Sequence, residues 1–235
     1  MRKDTKRTKI IIEKGSRPTF EEERKLVAAG ARRIAGVDEA GRGAWAGPLV
    51  AAATVLPLPG TPEATEAWEE LARRLDGIND SKMITPLGRE RLFELVKQVA
   101  EVGVGVVSSL TVDLIGVGEA NKLAMARAVA ALPLPPDHLL LDAFGLPGVA
   151  LPQTPLIKGD ARSLSIAAAS IVAKVTRDRL LVELEESFPG YGFARHKGYG
   201  TEQHAGVLEK FGPSAVHRYS YKPVWEVFEK KRQRM

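Results

Sequence analysis

Two adjacent carboxylates, Asp38 and Glu39, close the apolar run Arg33-Ile34-Ala35-Gly36-Val37 and are followed at once by Ala40-Gly41-Arg42-Gly43. The run reads as a β-strand. Neighbours on a strand point to opposite faces, so both acids serve one site only where the strand stops and the backbone twists. Gly41 and Gly43 permit that twist, because glycine tolerates backbone angles that other residues resist. Their bare backbone also lets a ligand approach closely. A solvated turn is the plain alternative, and the apolar flanks weaken it. Acids beside a glycine loop carrying one arginine suit metal ions next to a phosphate or sugar.

The rest of the chain alternates short apolar runs with helical patterns. Strands are expected at Ile34–Asp38, Leu49–Leu56, Val102–Ser108, His138–Leu141 and Gln153–Ile157. Helices are expected from Phe20 to Ala29 and from Glu63 to Leu75. Thr85 reads as an N-cap with Pro86 at the first helical position, opening a helix to about Ala100. Thr111 is expected to cap another helix, which ends before Pro133. Further helices are expected from Ser163 to about Ser187, after Thr201, and over Tyr221–Arg234. Strands mixed with helices indicate an α/β class. The first two strands have no helix between them, which favours a mixed sheet over a parallel one.

The 235 residues are expected to divide into a basic N-terminal extension, 1–30, and one main domain with a helical C-terminal segment, 31–235. Residues 1–18 are polar and expected to be mobile. The net charge of +5 is unevenly placed. Residues 1–33 hold eleven Lys/Arg against five acids, and residues 217–235 hold six against two. Basic ends around an acid-containing middle suit a polyanion gripped at its flanks and cut at its centre, although solubility alone explains a charge this modest. There are no cysteines, which excludes disulfides, thiolate zinc sites and cysteine nucleophiles. No apolar run is long enough to span a bilayer, and the charged N-terminus has no signal-like apolar segment behind it. The expectation is a cytoplasmic protein with no membrane partner.

Asp38, Glu39, Asp142 and Asp160 each fall at or just beyond an expected strand end, where α/β sheets gather catalytic groups. Clustered carboxylates repel one another unless a cation is present. Mg²⁺ and Mn²⁺ are hard ions that take oxygen ligands, and two of them roughly 3.5–4 Å apart would hold a phosphodiester and activate water. Taken singly, Asp160 is as readily a loop or N-cap group, and Asp142 a turn residue. Asp80-Ser81-Lys82 offers a phosphate contact, or an ordinary loop. Asp178, four residues after Lys174, reads as a helix-surface ion pair. Tyr199, between two glycines, has room to stack on a sugar or base, with a core tyrosine as the alternative. His196 is the histidine nearest this segment, and a structural role is the default for it.

Taken together, Val37-Asp38-Glu39-Ala40-Gly41-Arg42-Gly43, Asn79-Asp80-Ser81-Lys82, Leu141-Asp142-Ala143, Lys158-Gly159-Asp160 through Asp178, and His196-Lys197-Gly198-Tyr199-Gly200-Thr201 resemble the five ordered signatures of bacterial-type ribonuclease HII. The match runs from about residue 33 to 222. The resemblance implies a ribonuclease H-like α/β fold: a five-stranded mixed β-sheet flanked by helices, with a helical C-terminal part. It implies a four-carboxylate centre for two divalent ions, Mn²⁺ or Mg²⁺, on Asp38, Glu39, Asp142 and Asp160. It implies that Gly41, Arg42 and Gly43 touch a ribonucleotide 2′-OH, that Lys82 meets a phosphate, and that Tyr199 packs on the neighbouring deoxyribose. The related HIII type usually lacks the loop arginine and carries a larger N-terminal domain, so Arg42 favours HII.

The activity implied is endonucleolytic cleavage of the RNA strand of RNA/DNA hybrids, and cleavage 5′ of single ribonucleotides in duplex DNA. The products end in a 3′-OH and begin with a 5′-phosphate. The partner expected is the nucleic acid, bound by a monomer; Tyr221–Met235 shows no convincing sliding-clamp motif. The competing readings are another ribonuclease H-like nuclease such as a junction resolvase, a non-catalytic hybrid-binding protein, and a histidine-based ribonuclease in which the 2′-OH attacks.

Overall fold

The computed structural model describes residues 17–233. Five strands, β1 (Ile34–Ala40), β2 (Leu49–Val55), β3 (Glu101–Val107), β4 (His138–Asp142) and β5 (Gln153–Leu156), form one sheet in the order β3-β2-β1-β4-β5. The pairs β1–β2 and β2–β3 are antiparallel, while β1–β4 and β4–β5 are parallel. This is the five-stranded mixed sheet expected of a ribonuclease H-like fold. Strand β2 is buried along its whole length, because both faces are covered.

One face carries α5 (Leu164–Ser187), with α1 (Glu21–Ala28), α2 (Thr65–Arg74) and α3 (Pro86–Val99) completing an apolar layer around Trp68, Phe93 and Ile166. The other face carries α4 (Ser109–Ala130), which packs Val112, Ala124 and Met125 against Val37 and Leu141. The C-terminal part is helical: α6 (Phe193–His196), α7 (Glu202–Phe211) and α8 (Lys222–Arg232). Arg234, the expected end of the last helix, lies outside the described residues. Among the described residues no helix is long and apolar enough to cross a membrane.

The caps expected at Thr85 and Thr201 are present, and Ser163 caps the helix expected to start there. Thr85 Oγ1 accepts from Gly88 N at 3.2 Å, Ser163 Oγ from Ile166 N at 3.1 Å, and Thr201 Oγ1 from His204 N at 3.2 Å. The expected cap at Thr111 is corrected. Ser108 caps α4, its Oγ accepting from Thr111 N at 3.1 Å, so the helix starts earlier. Both residues carry a hydroxyl. The strand ending at Val107 decides between them, because its next residue is the first free to turn. Helix α4 breaks at Gly116, where φ is 78° and ψ 153°.

The mobile segment expected for residues 1–18 falls almost wholly outside the described residues. From Arg17 onward the chain docks on the start of α5. The buried Glu23 carboxylate accepts from Ser163 Oγ at 2.7 Å and Ser165 N at 2.9 Å. Thr19 exchanges backbone bonds with Arg162 and Leu164, each 3.1 Å.

Glycines let helix backbones lie directly on the sheet. A Cβ on Gly36 of β1 would stand 2.2 Å from Ser165 C in α5, where backbone cannot yield. Gly36→Ala should therefore destabilise the protein by about 3 kcal/mol, since overpacking against backbone has no cheap relief. Gly118 is exposed on α4 with open space around it. Gly118→Ala should stabilise by about 1 kcal/mol through helix propensity alone. Urea denaturation of both variants measures the contrast; equal effects would contradict the close approach of α5 to β1.

Candidate active site

The site forms where β1 and β4 end side by side. Their parallel pairing runs to Val37–Leu141, so Asp38 and Asp142 follow on adjacent strands. Strand β1 does not stop at Asp38 as expected. It continues to Ala40 along β2, pairing Asp38 with Ala52 and Glu39 with Ala51. What stops is its pairing with β4. Beyond Val37 one edge of β1 is free, and Asp38 Oδ1 folds back to accept from Glu39 N at 2.7 Å. One ligand oxygen each from Asp38, Glu39 and Asp142 lies within 4.8 Å of the others. The two adjacent acids thus share one site although they sit on a strand.

Asp160 lies outside that group of three. It stands on a single 3₁₀ turn, Gly159–Ala161, and its carboxylate lies 3.7 Å from Lys82 Nζ. The turn is tied to the centre by Gly159 N, which donates to Asp142 Oδ1 at 2.7 Å. A Cβ on Gly159 would meet the Ile166 side chain at 2.6 Å and Asp142 Oδ1 at 3.3 Å, so this glycine permits the approach.

The electrostatics are those of acids kept close without enough cation. Asp38 is buried, 5% exposed, and its pKa is pushed well above the ordinary carboxylate value by desolvation and then by Glu39 and Asp142. Desolvation likewise raises Glu39, partly offset by the Asn121 side chain; it raises Asp142, and it raises Asp160 with Asp80 and Asp142 adding to the shift. Desolvation opposes the charge on Lys82, but Asp80, Asp160, Asp38 and Asp142 outweigh it and raise its pKa. One flexible lysine does not neutralise four acids. Three converging hard oxygen donors with uncompensated charge fit a divalent cation of the Mg²⁺ or Mn²⁺ class.

The cleft around these acids has a volume of about 400 Å³ and includes Gly41, Arg42, Gly43, Lys82 and Tyr199 among its lining residues. The glycines of the loop have different tasks. Gly41 has φ +92°, and a Cβ there would meet Arg177 Nε at 1.9 Å. Around Gly43 nothing lies within 4 Å, so no neighbour in the protein explains its missing side chain. The glycines beside Tyr199 do not simply make room for a ligand. A Cβ on Gly200 would meet the Trp45 ring at 2.2 Å, and one on Gly198 would meet Ala46 O at 2.3 Å. Tyr199 itself lies 5.1 Å from Lys174 Nζ and 5.0 Å from Arg177 Cζ, ring centroid to cation.

Ser170, Lys174 and Asn121 join the site without having been candidates for it in the sequence. Ser81 and Ser170, both buried, bond at 2.8 Å beneath Lys82, and Ser170 and Lys174 line the cleft. Lys174 does make the expected ion pair with Asp178, at 2.7 Å. The missed signal was spacing: Ser170, Lys174 and Arg177 fall on one face of α5. Asn121, fully buried on α4, has no such signal.

The histidines near the cleft are structural. His196 stacks on His204 at 4.1 Å; His204 and His217 bond through their Nε2 atoms at 3.0 Å. Burial lowers the pKa of His204 to about 4 and of His217 to about 3, so both are neutral at ordinary pH. His196 bonds Tyr191 O at 2.8 Å and accepts from Gly198 N at 3.1 Å, leaving its ring no free nitrogen.

Comparison with known proteins agrees with this geometry. The family model for ribonuclease HII matches residues 35–224. A curated ribonuclease HII of Geobacillus thermodenitrificans is 52% identical over 219 residues, covering 91% of this chain and 79% of its own. The crystal structure of ribonuclease H2 from Pyrococcus horikoshii superposes with a TM-score of 0.71 at 27% identity, covering 86% of this chain and all of that one. The ribonuclease HII of Archaeoglobus fulgidus, solved as a complex with PCNA, gives a TM-score of 0.67 at 27% identity, covering 81% and 96% of the two chains.

Because its folded-state pKa is raised, Asp38 lowers stability as pH rises from the ordinary value of 3.8 through its own higher value. Without metal at neutral pH, Asp38→Asn should therefore melt higher than the parent, by on the order of 1 kcal/mol. Mn²⁺ should stabilise the parent and do much less for the variant. Equal stabilisation of both by Mn²⁺ in a thermal-shift titration would place the metal elsewhere.

Proposed function

The chain belongs to the ribonuclease HII family, metal-dependent endoribonucleases of RNA/DNA hybrids, and we propose that it also cuts duplex DNA 5′ of a single embedded ribonucleotide. The reaction is hydrolysis: water adds at phosphorus, the P–O3′ bond breaks, and the products carry a 3′-OH and a 5′-phosphate. The observation that carries this reading is the convergence of the Asp38, Glu39 and Asp142 oxygens in a cleft that also holds the open Gly43 and the Tyr199 ring.

In this reading Asp38, Glu39, Asp142 and Asp160 hold two divalent ions, Mg²⁺ or Mn²⁺. When bound, such ions supply charge neutralisation and Lewis acidity toward water and phosphate. Asp160 serves from the far side of the group, its partner Lys82 turning to a substrate phosphate. Gly41, Arg42 and Gly43 read the 2′-OH, the group that separates RNA from DNA at one nucleotide. Tyr199 packs on the following sugar, and a second 2′-OH there is disfavoured. The ribonucleotide is recognised through its sugar and not through its base.

Attack by the 2′-OH itself would need a histidine or similar base in the cleft. His196, His204 and His217 are buried in bonds to one another and to backbone, which favours water as the nucleophile. In this reading the protein acts as a monomer on nucleic acid. The PCNA complex of the Archaeoglobus relative raises a clamp as a partner.

The test is a DNA duplex with one ribonucleotide, incubated with Mg²⁺, Mn²⁺ or EDTA, with both new ends mapped. Incision 5′ of the ribonucleotide is expected with metal and none with EDTA. Asp38→Asn and Asp142→Asn should each lower the rate by at least about a hundredfold while binding is kept; normal cutting by either would sink the assignment. Tyr199→Phe should keep most activity. Tyr199→Ala should lose its preference for an RNA-to-DNA junction, and an unchanged preference would remove the stacking role.

A further inference from the structure

Arg218 is wholly buried, yet no carboxylate lies within ion-pair distance of it among the described residues. Burial lowers its pKa. A charge in that position is expensive unless every donor is used. Its donors go to backbone carbonyls instead. Nε and Nη2 donate to Gly47 O at 3.2 and 3.0 Å, and Nη1 donates to Arg42 O at 3.1 Å. Tyr221 OH donates to the same Arg42 oxygen and accepts from Arg218 Nη1 at 3.1 Å. The segment bearing both residues is braced in turn. Asp113 on α4 accepts from Tyr219 N at 2.8 Å, Ser220 N at 2.9 Å and Ser220 Oγ at 2.6 Å.

The consequence lies on the other side of the peptide. The described chain has no cis peptide bond. In a planar trans peptide the C=O and the following N–H point in opposite directions. Holding Arg42 C=O toward Arg218 therefore turns Gly43 N–H away from it. That N–H donates to no protein acceptor among the described residues. Gly43 lines the cleft, and its missing side chain leaves open space.

We infer that Arg218 and Tyr221 are specificity-determining positioning residues. By pinning the Arg42 carbonyl they present the Gly43 N–H to the 2′-oxygen of the ribonucleotide. The inference rests on the reading of the Gly41-Arg42-Gly43 loop as the ribose contact and deepens it. Neither side chain touches the substrate. They act through the orientation of one peptide plane.

Tyr221→Phe removes one of the two bonds to Arg42 O. Arg218→Lys keeps the charge but loses the planar fork that reaches two carbonyls at once. Two quantities are measured: kcat and KM for incision at a single ribonucleotide, and affinities in EDTA for that duplex and for the same duplex without ribose. For Tyr221→Phe, kcat/KM should fall about threefold, the effect of one neutral hydrogen bond. For Arg218→Lys it should fall about tenfold or more. In both, the ratio of ribose-containing to ribose-free affinity should move toward one, while ribose-free affinity stays within about twofold.

A ratio kept at the parent value in both variants overturns the bracing role. So does a parallel loss of both affinities, which would mean general damage. If Arg218→Lys melts too low to assay, Tyr221→Phe decides alone. A parent protein that shows no ribose preference in either measurement overturns the loop reading itself, and this inference with it. A preference present in the parent and intact in both variants overturns the inference only.

Discussion

The parallel pairing of β1 with β4 is the constraint on which the site depends. Because both strands run the same way, their C-terminal ends coincide, and Asp38 comes to lie beside Asp142. The pairing ends at Val37–Leu141, and there the edge of β1 opens enough for Glu39 to join them. An antiparallel neighbour would have placed the start of a strand at that position. The hairpin to β2 holds β1 from the other side and keeps the two adjacent acids in a rigid frame while one edge is free.

Around that frame, helix α5 does most of the positioning. Its start is clamped by Glu23 and Thr19 and lies on Gly36 of β1, and its later turns deliver Ser170 and Lys174 to the cleft and Arg177 to the backbone behind it. The 3₁₀ turn carrying Asp160 comes immediately before it, so docking α5 also sets Asp160. The two buried arginines perform related tasks. Arg177 donates to Ala46, Pro48 and Lys197 carbonyls, and Arg218 to those of Arg42 and Gly47. Together they hold the loop after β1 and the segment before Tyr199 in one arrangement. Guanidinium groups suit this, because five donors in a plane can satisfy several carbonyls at once.

Stability and function pull against each other here. Four acids raised in pKa by burial and mutual repulsion weaken the metal-free fold. The histidine group near Tyr199 adds a cost only in acid, as pH falls below the ordinary imidazole value of 6.5. Close backbone packing at Gly36, Gly103 and Gly105 supports the sheet against these costs. Bound cations would relieve the first of them, which links metal occupancy to stability as well as to activity.

Much of the molecule was legible in the sequence alone. Alternating apolar runs and cap residues marked all five strands and most helices, because those signals are local: side-chain period, hydroxyl caps, proline and glycine. The acids, the glycine loop and Tyr199 were legible as motifs, because each is a short run of consecutive residues. What only the tertiary structure decided is how residues far apart in the chain meet. It separated Gly41, needed for Arg177, from Gly43, which faces open space. It put Asp160 outside the group of three acids and beside Lys82. It showed that three histidines bond with one another or with backbone, and that Arg218 reaches back across the chain to Arg42. Such contacts have no periodicity in the sequence. They arise from the crossing of β1, α5 and the C-terminal helices, and that crossing is set by packing and not by any local residue preference.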